Sequence, residues 1–124
     1  MMKLTIASGN VEDFFRRGRE LAGKLDRGEE IPEERLLAFE DPSDILELLT
    51  NARMALFQEV NQQPGSIADL ARRLHRDRSA VKRDVDILAS AGLLFVETRP
   101  ISGHGRMKLV QATAKRFSLI AQVG

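Results

Sequence analysis

The chain of 124 residues has no cysteine, and its only histidines are His75 and His104. Without cysteine there are no disulfides and no thiolate-held metal. The two histidines stand far apart in sequence, and no ligand set or nucleophile gathers around either. Catalysis needs convergent groups, so an enzyme is not expected. Acidic pairs exist at Glu29-Glu30 and Glu33-Glu34, but they fall in a polar connector where solvated carboxylates are ordinary. No glycine loop has the form that cradles phosphates, so neither cofactor nor metal is expected. No apolar run nears the ~18 residues of a membrane span. Met1–Ser8 is too short for a signal peptide and is followed by charges. The expectation is a soluble, cytoplasmic protein. Repeats and low-complexity tracts are missing too.

Net charge is also small, at +1. Its distribution is uneven. Residues 1–42 hold 7 basic and 10 acidic side chains, residues 43–65 hold 1 and 3, and residues 66–124 hold 11 and 5. The final segment therefore carries +6 on its own. Positive charge collected on one segment is the electrostatic footprint of a nucleic-acid binder.

That segment opens with two short amphipathic patterns, three residues apart. Ser66 is a good N-cap, and Asp69 completes a capping-box-like S-x-x-D. Ile67, Leu70, Ala71 and Leu74 follow at i, i+3, i+4 and i+7, which places them on one helix face. His75-Arg76-Asp77 makes the turn, and Asp77 is placed to cap a second helix. Val81, Val85 and Leu88 form its buried stripe. Ser79, Lys82, Arg83 and Asp86 repeat along the opposite face. Gly92 suits a left-handed stop. This is the pattern of a helix-turn-helix whose second helix enters the major groove. Lys82 or Arg83 has the donors for guanine O6 and N7. Arg78 and Ser79, at the positive end of the helix dipole, suit phosphate. Ser66 and Arg76 complete the candidate DNA contacts of this unit.

A wing is expected next. Leu93-Leu94-Phe95-Val96 is β-prone, and Pro100 and Ser102–Arg106 read as a loop. Met107–Val110 alternates and returns as the partner strand. The tip is expected to carry Arg99, His104, Arg106 and Lys108 toward the DNA backbone or minor groove.

The region 1–42 is organised separately from the winged-helix domain expected over 43–124. Lys3–Ala7 reads as a strand with Leu4 and Ile6 on one face. Ser8-Gly9-Asn10 turns the chain. Val11, Phe14, Phe15, Gly18, Leu21, Ala22 and Leu25 recur at helical spacing, and Gly28 stops that helix. Arg35–Glu40 reads as a second strand. Ser43 is placed to cap a short helix at Asp44–Leu49. Thr50 is placed to cap Asn51–Asn61, whose Ala52, Leu56 and Val60 are expected to pack under the helix-turn-helix. Burying each large side chain of the first helix stabilises by ~1.5–3 kcal/mol, so its apolar face needs a cover. The expectation is a homodimer built on Leu4, Ile6, Val11, Phe14, Phe15, Leu21 and Leu25. It would present two recognition helices to a palindromic site. The alternatives are that this helix covers its own winged helix or receives another protein.

The segments Lys3-Leu4-Thr5-Ile6 with Gly9, Ala38–Arg53 and Ser66–Leu94 resemble a family of small prokaryotic transcriptional regulators grouped with MarR-like winged-helix proteins. The resemblance spans nearly the whole chain. It is most specific at Phe39–Arg53 and Arg76–Leu94. It implies a winged helix-turn-helix that binds double-stranded DNA, and a bacterial or archaeal source. Its motif covers Arg76, Asp77, Val81, Arg83 and Asp84, with Val81 and Asp84 in structural roles. Some members are similar to antitoxins, which implies a toxin protein as a second kind of partner. The Gly103-His104-Gly105 tip and the segment Ala114–Ile120 depart from the family pattern, and Lys115–Ile120 is open between a last strand and an arm. The fold expected is α+β, mainly α: a winged helix-turn-helix with an N-terminal strand–helix–strand extension. The function expected is a repressor acting on its own operon. The alternatives are an antitoxin and a protein-binding winged helix that makes no DNA contact.

Overall fold

The computed structural model describes residues 3–5, 31–101, 103 and 105–124. In chain order the elements are β1 (Lys3–Thr5), β2 (Glu34–Phe39), α1 (Pro42–Leu48), α2 (Asn51–Gln62), α3 (Ile67–Leu74), α4 (Arg78–Ser90), β3 (Leu94–Ile101), β4 (Gly105–Ala112) and β5 (Arg116–Ala121). The chain is α+β, and the run α2–α3–α4–β3–β4 is compatible with a winged helix. The expected helix over residues 11–25, with Val11, Phe14, Phe15, Leu21 and Leu25, lies outside the described residues, as do Ile6 and His104. Among the described residues no helix is long and apolar enough to cross a membrane.

The helices begin where their caps dictate. The Thr50 hydroxyl accepts from the Arg53 amide at 3.2 Å and starts α2. At α3 the capping box is complete. The Ser66 hydroxyl accepts from the Asp69 amide at 3.1 Å, and the Asp69 carboxylate accepts from the Ser66 amide at 3.3 Å. That second bond is the main reason the Asp69 carboxyl sits below the usual carboxylate range. α1 differs from expectation. It starts at Pro42, and its cap is Asp41, whose carboxylate accepts from the Ser43 amide. Proline in the first turn forfeits only an amide that has no helical partner there.

α4 ends as its glycine requires. Gly92 has φ +88°. Its amide donates to the Ala89 carbonyl, and the Leu93 amide donates to that of Leu88. This is a Schellman stop, with Leu88 and Leu93 both buried. α3 ends with the same hydrogen bonds but without glycine. His75 takes the left-handed position at φ +54°, and the Arg76 amide reaches the Ala71 carbonyl. An L residue there costs roughly 1–2 kcal/mol.

The core gathers Leu56 and Val60 from α2, Leu70 and Ala71 from α3, Val81, Val85 and Leu88 from α4, and Leu94, Val110 and Ala112 from the hairpin. Ala52, expected to join them, is exposed. It lies in the first turn of α2, a full turn before Leu56. Gly65 forms an isolated bridge to Val110, with bonds of 3.4 and 2.8 Å. A Cβ at Gly65 would fall 2.7 Å from the Arg73 guanidinium. That guanidinium holds the α2–α3 link by donating to the Gln63 and Pro64 carbonyls.

A second sheet has the order β1-β2-β5 with both pairings parallel. The segment left open as strand or arm is thus a strand beside β2, with Glu34 opposite Arg116 and Leu37 opposite Leu119. The domain boundary expected after residue 42 falls within the first turn of α1, and the β2–β5 pairing crosses it. One face carries Arg35, Leu37 and Phe39 beside Phe117 and Leu119. Leu37 belongs to the core, and Phe39, Phe117 and Leu119 pack against it. Phe117 meets Phe57 of α2 edge to face, with centroids 5.5 Å apart.

Candidate nucleic-acid interface

α4 is held from behind by three arginines. Asp84 lies in its apolar stripe between Val81 and Val85 and is 7% exposed. A buried carboxylate needs partners, and Asp84 has two. Arg53 of α2 donates from Nε to Oδ1 at 3.0 Å, and Arg76 of the turn donates from Nη2 to Oδ2 at 2.7 Å. Burial pushes the Asp84 carboxyl up, but the bonds and charges of Arg76 and Arg53 outweigh it, and its pKa is lowered. Arg53 also donates to the Glu47 and Leu48 carbonyls at the end of α1. One carboxylate therefore ties α1, α2 and the turn to the middle of α4.

The third arginine is Arg35 of β2, which is 1% exposed. Its Nη1 donates to the Gly92 carbonyl at 3.0 Å, and its guanidinium lies over the Phe117 ring at 5.6 Å. The Thr113 hydroxyl donates to the same Gly92 carbonyl at 2.6 Å. Burial lowers the Arg35 pKa to about 10. It stays charged at neutral pH, at the negative end of the helix dipole where a cation is favoured.

With its inner face pinned, α4 turns Arg78, Ser79, Lys82, Arg83 and Asp86 to solvent. Among the described residues Arg78 and Arg83 have no hydrogen-bond or ion-pair partner. Lys82 and Asp86 pair at 2.7 Å, with side chains 65% and 60% exposed. Asp77 precedes the helix as expected, but its side chain makes no capping bond.

Two of the expected contacts have internal partners in the fold. Arg76 is the turn's partner for Asp84. The Ser66 hydroxyl is engaged in its capping box. Arg35 and Arg53 were not foreseen as positioning residues. One signal was available: residues 81, 84, 85 and 88 share a face, and the acid among them calls for buried cations.

The hairpin is longer than expected. Pro100 lies within β3, opposite Arg106. In a two-stranded ribbon each strand has an outward row of backbone groups, where a missing amide costs nothing. Residues opposite each other in a ladder share a face. Thr98 with Lys108 and Pro100 with Arg106 therefore continue the face that packs on the helices at Leu94, Val110 and Ala112. Arg99 lies on the other face, opposite Met107, and pairs with Glu97 at 3.1 Å. The Gln111 amide also bonds Glu97. The expected wing cluster is thus divided: Arg106 and Lys108 are exposed together, and Arg99 faces away.

The HVO_A0114 family model matches residues 48–119, from the end of α1 into β5. The chain belongs to the HVO_A0114 family. The family's segment thus takes in the whole Arg53–Asp84–Arg76 cluster, α4 and the hairpin. No curated protein sequence matches the chain. A similar solved structure is titled "Possible transcriptional regulator" from Methanosarcina mazei Go1. It is 21% identical, with a TM-score of 0.47 over 56% of this chain and 63% of its own. The alignment thus spans less than two thirds of that neighbour.

Proposed function

We propose that this member of the HVO_A0114 family is a transcriptional regulator that binds double-stranded DNA through α4. The observation that carries the reading is the division of cations on that helix. Arg35, Arg53 and Arg76 are consumed in holding it, while Arg78 and Arg83, on its outer face with Lys82 beside them, have no partner among the described residues. Exposed cations with no internal partner among the described residues, on the first two turns of a helix, suit a phosphate backbone and the acceptor edges of guanine. Arg106 and Lys108 extend the contact along the wing. The fold assigned to residues 43–124 is the winged helix-turn-helix of the MarR-like group.

In this reading the protein is a homodimeric repressor of its own operon, bound to a palindromic operator. The apolar residues Leu4, Ile6, Val11, Phe14, Phe15, Leu21 and Leu25 supply the dimer surface. Two linked half-site contacts raise a modest affinity to a useful one.

The test is binding of purified protein to its own upstream DNA and to an unrelated duplex across a salt series. Preferential binding with a steep salt slope and a two-fold symmetric footprint is expected. Equal or no binding to both duplexes overturns the reading.

A further inference from the structure

We infer that the Lys82–Asp86 pair reads a single G·C base pair, with Asp86 as a specificity-determining residue. This deepens the DNA-binding reading and rests on it.

Asp86 is the one carboxylate on the outer face of α4, among Arg78, Ser79, Lys82 and Arg83. Its part in the fold is a single solvent-exposed i,i+4 pair, of the kind that supports a helix only weakly. Its side chain is 60% exposed, and its one hydrogen bond among the described residues is to Lys82, itself 65% exposed. Asp84, two residues earlier, has the structural duty that a carboxylate in α4 can have. Against a polyanion, an idle negative charge on the docking face weakens binding to every sequence. A carboxylate is useful there only where DNA offers donors. In the major groove those are the amino groups of cytosine and adenine.

The pairing with Lys82 selects between them. At 2.7 Å the pair presents an ammonium and a carboxylate as one unit, donors beside acceptors. A G·C pair offers the complement in order. Guanine N7 and O6 are adjacent acceptors, and the cytosine N4 amino group lies next to O6. The ammonium can span the two acceptors while the carboxylate takes the amino proton, and the salt bridge stays intact. An A·T pair places its donor between two acceptors and a methyl group at the outer edge. There the carboxylate can take the amino proton and the ammonium one flanking acceptor, but the two acceptors are separated and the ammonium cannot span both, so one contact is lost. Arg83, one residue on and without a partner among the described residues, remains available for a neighbouring base.

The test is selection from a pool of duplexes with a randomised core, followed by competition binding of single-pair variants of the selected site. Wild type, Lys82→Ala, Asp86→Ala and the double variant are compared. For wild type, one G·C pair is expected to resist replacement by A·T by about tenfold in affinity or more. Asp86→Ala and Lys82→Ala both lose the preference at that same pair. The double variant loses no more than either. Asp86→Ala also binds unselected duplex at least as tightly as wild type, since a negative charge has gone. The exposed positions leave folding intact, which circular dichroism checks. If wild type selects a site and Asp86→Ala keeps every preference, or if the two single variants lose different positions, this assignment falls and the DNA-binding reading stands. Wild-type protein that selects no duplex overturns both.

Discussion

The two faces of α4 use the same residue types to opposite ends. On the inner face Asp84 is buried between Arg53 and Arg76, and the three charges belong to the fold. On the outer face, Asp86 and Lys82 pair in solvent, and Arg83 and Arg78 are left over. A count of cations along the sequence does not separate these groups. What marks an interface is the positive charge that remains once the structural arginines have found their carboxylates and carbonyls. The wing repeats the lesson, since Glu97 occupies Arg99 and leaves Arg106 and Lys108.

The sharpest way to break the comparison is Asp84→Ala. It strands two largely buried guanidinium groups. Removing one partner of a buried ion pair typically costs 3–5 kcal/mol, and urea denaturation should show a loss of about 3 kcal/mol. Asp86→Ala, on the outer face, should cost less than about 0.5 kcal/mol in the same assay. Similar losses for both would erase the distinction.

Acid should act on the inner face in the same direction. The folded pKa of Asp84 is lowered, so its contribution is complete above the ordinary aspartate value of about 3.9 and disappears as pH falls through the folded value. The stability gap between wild type and Asp84→Asn should be constant from pH 7 to about 5 and close progressively below about 4. A gap that persists unchanged at pH 2 would mean that the carboxylate's charge is not what α4 depends on.

The outer face should respond in binding. Arg83→Ala is expected to cost ~1–3 kcal/mol on a selected site and much less on random duplex, if its guanidinium reads a base. Arg106→Ala should weaken all duplexes alike, because a wing cation meets phosphate. Equal losses on both DNAs for Arg83→Ala would move it to the phosphate class. The smallest effect is expected at the turn between the faces. His75→Gly removes a left-handed L residue at the cost of glycine's chain entropy. A gain of about 0.5 kcal/mol in thermal or urea stability is expected, and a loss would assign the imidazole a role of its own.

The parts of this structure written locally were legible in the sequence. Thr50, Ser66 and Gly92 set helix limits through bonds within four or five residues, and the apolar stripe of α4 follows from helical spacing. The outer face of that helix was legible for the same reason. What was hidden depends on residues distant in sequence. Arg35 sits in a strand pattern with nothing nearby to tell that it reaches Gly92, 57 residues on. Arg53 meets Asp84 across 31 residues. The splitting of the wing cations depends on hairpin register, which a loop containing two glycines leaves undefined in sequence. The cap expected at Ser43 lies instead at Asp41, because a first helical turn tolerates Pro42.

The parallel pairing of β2 with β5 has a consequence in time. Glu34 meets Ser118 across 84 residues, and every helix of the winged unit is synthesised between them. On the ribosome, α2, α3 and α4 can pack on one another once all three have emerged, because their caps and mutual contacts lie close in sequence. The sheet that seats Arg35 against the end of α4 cannot zip until residue 121 has left the exit tunnel. Contacts of such sequence separation are the slow ones in folding. Throughout that interval the outer cations of α4 stand on a helix not yet clamped at its far end, and the clamp closes only when β5 pairs with β2.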